Sequence, residues 1–237
     1  MRNIFFIFLI LFSCTQQKDP IKNKIPKVVV KEKVELKTSD DIKKVNFKSL
    51  QGNLVDVQKI NSSIKVQIRY ATEDNFMRQK LYLKIKKAYL QRDVAERLSK
   101  CQNYLNSLHP NYSLLIYDAV RPVSIQQKMW DALDSIPRHR RGMFVSNPAL
   151  GSVHNFGAAV DLTIVDTKGK ELDMGAGYDD FREIAFPKLE SQFLKSGELT
   201  QNQIDNRKLL RRVMTSQNFS NIPSEWWHFN AFSRITT

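Results

Sequence analysis

A single α+β domain, with a mostly antiparallel sheet packed against helices, is the architecture this sequence predicts, and three observations predict it. Apolar residues alternate with polar ones at Ile64, Val66, Ile68 and Tyr70, and again from Ala158 to Val165, the period of two that marks half-buried strands. Between those segments Leu90, Val94, Leu98, Cys101, Leu105 and Leu108 recur at spacings of three and four, the period of one amphipathic helix. Strands and helices are mixed without a regular β-α alternation, which leaves an α+β class with an antiparallel sheet. The 42% hydrophobic and 26% charged content is that of a globular protein, not a disordered one;.

The chain divides at three places. Arg2 precedes an unbroken apolar run from Ile4 to Phe12, followed by Ser13 and Cys14. Such a run is too short to span a bilayer and fits the apolar region of a secretory signal. Leu11-Phe12-Ser13-Cys14 resembles the bacterial lipobox, so residues 1–13 read as a lipoprotein signal peptide and Cys14 as a lipidated residue that attaches the protein to a membrane. The alternative is an uncleaved N-terminal helix. Residues 14–48 read as a tether: between Thr15 and Lys48 ten lysines face five acidic residues, Pro20 and Pro26 interrupt the chain, and aromatics are scarce;. Val28-Val29-Val30 is an isolated candidate strand. The tether accounts for part of the +13 formal charge. The rest favours acidic surfaces, but no aromatic-and-basic motif accompanies it, so no nucleic-acid partner is expected. No obligate protein partner is evident either. The expected location is exported, anchored in the bacterial envelope on the periplasmic or outer face.

Residues 49–237 form the folded domain. The long helix ends at His109-Pro110, and Cys101 lies on its apolar side between Leu98 and Leu105, a packing thiol without a disulfide partner once Cys14 carries lipid;. Ser113 to Asp118 reads as a buried strand, and Ser124 as the cap of a helix through Trp130 and Leu133. Asp134 to Phe156, with Pro137, Gly142, Pro148 and Gly151, reads as loop;. In the strand from Ala158 to Val165, Val160, Leu162 and Ile164 face one way and Asp161 and Thr163 the other;. Thr167 to Lys170 reads as a turn. Thr200 with Gln203 makes a capping box for a helix carrying Ile204, Leu209, Val213 and Met214;. An aromatic strand around Trp226, Trp227 and Phe229 closes the domain.

Two of the four histidines sit in distinctive settings: His154 in the run from Ser152 to Asp161, and His228 in Glu225-Trp226-Trp227-His228. Two imidazoles and one carboxylate suit zinc and leave a fourth position for water; a hydrogen-bonded surface pair is the plainer reading of the same residues. Asp161 lies in an otherwise apolar strand, where an unpaired carboxylate is costly to bury and a divalent cation removes that cost. A separation of seven does not put His154 and Asp161 on one strand face, and Gly157 provides the turn between them;. Glu225, among tryptophans, is set for a raised pKa and for general-base work. His109, at a helix end, and His139, inside Arg138-His139-Arg140-Arg141, read as surface residues.

The pattern S-x-H-x-x-G-x-A-x-D, followed by E-x-W-H, closely resembles the D-alanyl-D-alanine dipeptidases within the zinc D,D-peptidases. Arg69-Tyr70-Ala71-Thr72 with Asp74-Asn75-Phe76, Tyr117-Asp118-Ala119-Val120-Arg121-Pro122, and Met174-Gly175 ahead of Asp179 extend the resemblance from Tyr70 to His228. The resemblance implies a zinc D,D-peptidase-like fold and one Zn2+ per chain, held by His154, Asp161 and His228. It implies Glu225 as catalytic base, Arg121 as the oxyanion-stabilising cation, and Ser152 and Asp179 as contacts to a small D,D-dipeptide. Plainer readings stand beside two of these: an ion pair with Asp118 for Arg121, and a helix N-cap for Asp179, with Asp180 competing for either role. Three functions are consistent with the sequence: a dipeptidase releasing D-alanine, a zinc D,D- or L,D-carboxypeptidase trimming peptidoglycan stems, and a non-catalytic metal-binding envelope lipoprotein.

Overall fold

The computed structural model describes residues 54–232. The leader, Cys14, the tether and Val28-Val29-Val30 lie outside the described residues. The elements are β1 (Leu54–Asp56), α1 (Val57–Ile60), β2 (Lys65–Val66), β3 (Tyr89–Gln91), α2 (Arg92–Leu108), β4 (Ser113–Asp118), α3 (Val123–Ala132), α4 (Arg138–Arg141), β5 (Ala159–Val165), α5 (Glu190–Ser196), α6 (Gln201–Thr215), β6 (Ser220–Asn221) and β7 (His228–Asn230).

The main sheet runs β2-β4-β5-β7-β6, and every pair except β2 with β4 is antiparallel. β1 and β3 form a separate antiparallel pair. The mixed, mostly antiparallel α+β class expected from the sequence is the one observed. α2 carries the predicted stripe: Val94, Leu98, Cys101 and Leu105 have no exposed surface, and the helix packs against α6 and β4. Gln102, also fully buried, ties α2 to the sheet, donating to the Tyr112 carbonyl and accepting from the Leu114 amide. The helix is capped by the His109 amide on the Leu105 carbonyl. The capping box of Thr200 with Gln203 opens α6, whose inner face is Ile204, Leu210, Val213 and Met214, with Leu209 half-buried at its edge.

Several elements differ from expectation. The alternation at Ile64–Tyr70 marks burial, but only Lys65–Val66 is strand, and Arg69–Ala71 is a 3-10 turn. The Asn75 side chain wins there: its amide donates to the Thr72 and Gln79 carbonyls and bends the segment into a compact loop. Ser124 does not cap α3, whose N-cap is Pro122 with no side-chain hydrogen bond. The stretch from Asp134 to Phe156 is not all loop, since it contains α4 and short 3-10 turns at Pro148–Leu150 and Val153–Phe156. Trp226 and Trp227 precede β7, and the Leu162 amide donates to the Trp227 carbonyl as the ladder begins.

Register places the site. Asp118 of β4 pairs with Asp161 of β5, and Asp161 pairs with His228 of β7. Directly opposite residues share a sheet face, so three polar side chains from distant parts of the chain form one row across the sheet.

Candidate active site

His154 reaches that row from the turn before β5. Ser152 caps this turn in a reciprocal capping box with Asn155, and Gly157 ends it at φ +66. A Cβ on Gly157 would lie 2.5 Å from Leu54 Cδ2, so both conformation and space require glycine there;.

The ring nitrogens have defined roles. His154 Nδ1 lies 2.6 Å from the Ala119 carbonyl, which only accepts, so Nδ1 carries the proton and Nε2 is a bare lone pair;. His228 Nε2 lies 2.9 Å from Asn230 Oδ1, which fixes the opposite tautomer and leaves Nδ1 bare;. Those two lone pairs lie 3.1 Å apart, and Asp161 Oδ1 lies 3.2 Å from the first and 3.0 Å from the second. Three acceptors facing one another without a donor repel unless a cation lies between them. Tetrahedral bonds of 2.0–2.1 Å set ligand atoms about 3.3 Å apart, close to these spacings, so the donor set fits zinc. His154 and Asp161 are buried and His228 nearly so. Burial would raise the Asp161 pKa, and positive charge facing it, on the imidazoles or on a cation between them, holds it well below the usual carboxylate range;.

The remaining predicted residues line the same cavity of about 260 Å³. Glu225 Oε2 lies 3.8 Å from His228 Nδ1. Burial and the Asp161 charge push its pKa up to about 7, against the pull of His228 and Arg121. Arg121 donates from Nε to Asp118 Oδ2 at 2.9 Å, its Nη2 lies 2.9 Å from that oxygen, and Nη2 lies 3.4 Å from Asp161 Oδ2. The plain ion pair with Asp118 therefore exists, and Tyr82 closes it by donating to Asp118 Oδ1. Arg121 still borders the cavity, and its hydrogen bonds to the described residues run from Nε and Nη2, which leaves Nη1 for a ligand.

Ser152 accepts from the His154 amide at 3.3 Å, and its own O–H has no partner among the described residues. Asp179 caps no helix. It sits at φ +58, and its carboxylate accepts from the Tyr70 hydroxyl at 3.1 Å and the Phe76 amide at 3.3 Å. Burial and the Asp161 charge push its pKa up to about 8. Asp180 turns away and pairs with Arg182. Arg207 holds the Asp179 segment from behind, donating to the carbonyls of Met174 and Ile184. His109 and His139 are exposed and away from the cluster.

Sequence reasoning missed three participants: Asn230 and the Ala119 carbonyl, which set the imidazole tautomers, and Tyr178, whose hydroxyl donates to Asp161 Oδ2 at 3.1 Å. The Asn230 signal was present, since residue i+2 on a strand shares the face of His228. Tyr178 carries no periodic signal.

Two bare imidazole nitrogens and a carboxylate, with a second carboxyl of near-neutral pKa beside them, define a metallopeptidase centre;. The model of the D-ala-D-ala dipeptidase family (peptidase M15) matches residues 51–235, and the chain belongs to that family, which makes it a zinc metallopeptidase. It is 32% identical over 176 residues to the D-alanyl-D-alanine dipeptidase of Escherichia coli (strain K12), covering 74% of this chain and 83% of the relative. It is 27% identical over 168 residues to that of Synechocystis, covering 60% and 68%, and 24% identical over 199 residues to that of Enterococcus faecalis, covering 76% and 92%. Among solved structures it is similar to the zinc complex of the D,D-pentapeptidase VanY from a VanB-type resistance cassette. That likeness, at 13% identity and a TM-score of 0.31 over 62% of this chain and 75% of the other, is too distant to add to the argument.

Proposed function

We propose that this protein hydrolyses free D-alanyl-D-alanine to D-alanine, with zinc on His154, Asp161 and His228. The observation that carries the dipeptide reading is Asp179, a carboxylate enclosed in a small cavity with only two neutral donors, where a substrate ammonium completes its pairing;.

Zinc, when bound, supplies Lewis acidity that polarises a carbonyl oxygen and brings water within reach of deprotonation near neutral pH. Glu225 takes the proton of the attacking water and returns it to the departing amine, a role its pKa of about 7 suits;. Arg121, fixed by Asp118, offers Nη1 to the oxygen on which negative charge develops;. Ser152 donates its free O–H to the dipeptide, and Asp179 holds its ammonium. An intact Glu225 beside the ligands argues against a purely binding role.

The same proposal places the protein in the bacterial envelope, lipidated at Cys14, on the strength of Arg2, the Ile4–Phe12 run and the lipobox-like Leu11–Cys14. There it recovers dipeptides released from the cell wall. The test compares D-alanine release from the free dipeptide and from its N-acetylated form. The dipeptide is cleaved and the acetylated form is not, and Asp179→Ala narrows the gap. Equal or faster release from the acetylated compound replaces the dipeptidase with the carboxypeptidase reading.

A further inference from the structure

We propose that Tyr178 is a positioning residue for Asp161, its hydroxyl fixing which carboxylate oxygen faces the metal. The inference rests on the zinc-ligand reading of His154, Asp161 and His228. Asp161 divides its two oxygens between two environments. Oδ1 faces the bare nitrogens of His154 and His228 at 3.2 and 3.0 Å. Oδ2 points the other way, accepting from the Tyr178 hydroxyl at 3.1 Å and from Arg121 Nη2 at a longer 3.4 Å. An unrestrained carboxylate turns about its Cβ–Cγ bond and presents either oxygen or both to a cation. Two donors on Oδ2 oppose that rotation, so Asp161 would offer a metal Oδ1 alone.

Tyr178 is built to hold such a contact. Its ring lies 4.9 Å from that of Tyr117, 5.5 Å from Trp227 and 6.0 Å from Tyr70, so the phenol is wedged by three aromatic neighbours and has little freedom to leave Asp161;. The left-handed backbone at Asp179 then sends the next side chain to a different place, against Tyr70 and Phe76. Adjacent residues thus serve different parts of one site, and only the second belongs to a motif that sequence reading singles out.

Groups that hydrogen-bond to metal ligands typically contribute 10- to 100-fold in metal affinity. Tyr178→Phe removes the hydroxyl and keeps the ring, and because Arg121 still holds Oδ2 the expected loss is about tenfold, the low end of that range;. The control is Tyr117→Phe in the same aromatic cluster, because the Tyr117 hydroxyl donates to Glu171 and not to Asp161. The experiment uses the full-chain protein, measuring zinc affinity by competition with a chromophoric chelator and the visible spectrum of the cobalt-substituted form. In the expected result Tyr178→Phe binds zinc more weakly with an altered cobalt spectrum, while Tyr117→Phe matches wild type on both. Wild-type affinity and spectrum in Tyr178→Phe overturn the proposal, and so does equal weakening in Tyr117→Phe, which assigns the effect to ring packing. Unchanged zinc binding in His154→Ala overturns the ligand reading beneath it, a failure distinct from the other two.

Discussion

Replacing Arg121 by lysine separates the two jobs its guanidinium holds. Nε and Nη2 both reach one oxygen of Asp118 at 2.9 Å, and Nη2 also lies 3.4 Å from Asp161. An ammonium on a flexible stem is a point donor and does not reproduce that fork. Asp118 has no exposed surface, so losing one charged hydrogen bond to it costs about 1.5–3 kcal/mol. For a domain of this size each kcal/mol corresponds to about 2–4 °C, so the melting temperature falls by roughly 3–12 °C. Catalysis responds separately, because a lysine satisfied by Asp118 has no second arm to offer the substrate. Loss of one oxyanion donor costs about 10²–10³ in kcat. The assay pairs a thermal melt with D-alanine release, measured well below the melting point so that the folded population is the same. A lower melting temperature with unchanged kcat refutes the oxyanion role and returns Arg121 to its ion pair with Asp118. A lower kcat with an unchanged melt refutes the structural estimate instead.

Three further predictions concern the ligands and the base. Alanine in place of His154, Asp161 or His228 should cut zinc occupancy sharply from about one per chain, since three ligands leave no redundancy; full occupancy in all three variants by elemental analysis would remove the assignment. Glu225→Gln should keep the metal and lose about 10²–10⁴ in rate. Wild-type kcat, which reports the complex in which Asp179 is already paired with the substrate ammonium, should fall as pH drops through an acid limb at or below about 7, because the base must be unprotonated and a bound dication lowers a carboxylate pKa;. The glutamine variant has no such proton to lose, so a surviving limb would assign it to another group.

The parts of the molecule that were legible in the sequence are those governed by local rules. The α2 stripe, the β4 and β5 strands and the Thr200–Gln203 capping box each follow from a repeat or a short motif that needs no distant partner. The reading failed where a side chain overrode the pattern. Ile64 to Tyr70 has the alternation of a strand, yet the Asn75 side chain donates to the carbonyls of Arg69, Thr72 and Gln79 and bends the chain at Arg69. The candidate ligands were found through their spacing and their resemblance to a family, but neither says why they converge. Register does, because Asp118, Asp161 and His228 oppose one another across three neighbouring strands.

That row also explains why Arg121 resists assignment to structure or catalysis alone. Two carboxylates on one sheet face, one fully buried, require a cation between them, and the guanidinium that satisfies Asp118 is thereby held at the wall of the cavity. Burial pushes the Asp118 pKa up, and Arg121 opposes that rise by pairing with the charged form. The pairing in turn removes the freedom that an arginine side chain otherwise loses when it meets a substrate. The ion pair is the means by which the donor is preorganised, so the structural and catalytic readings of Arg121 describe one arrangement and predict that damage to Asp118 reaches the chemistry through it.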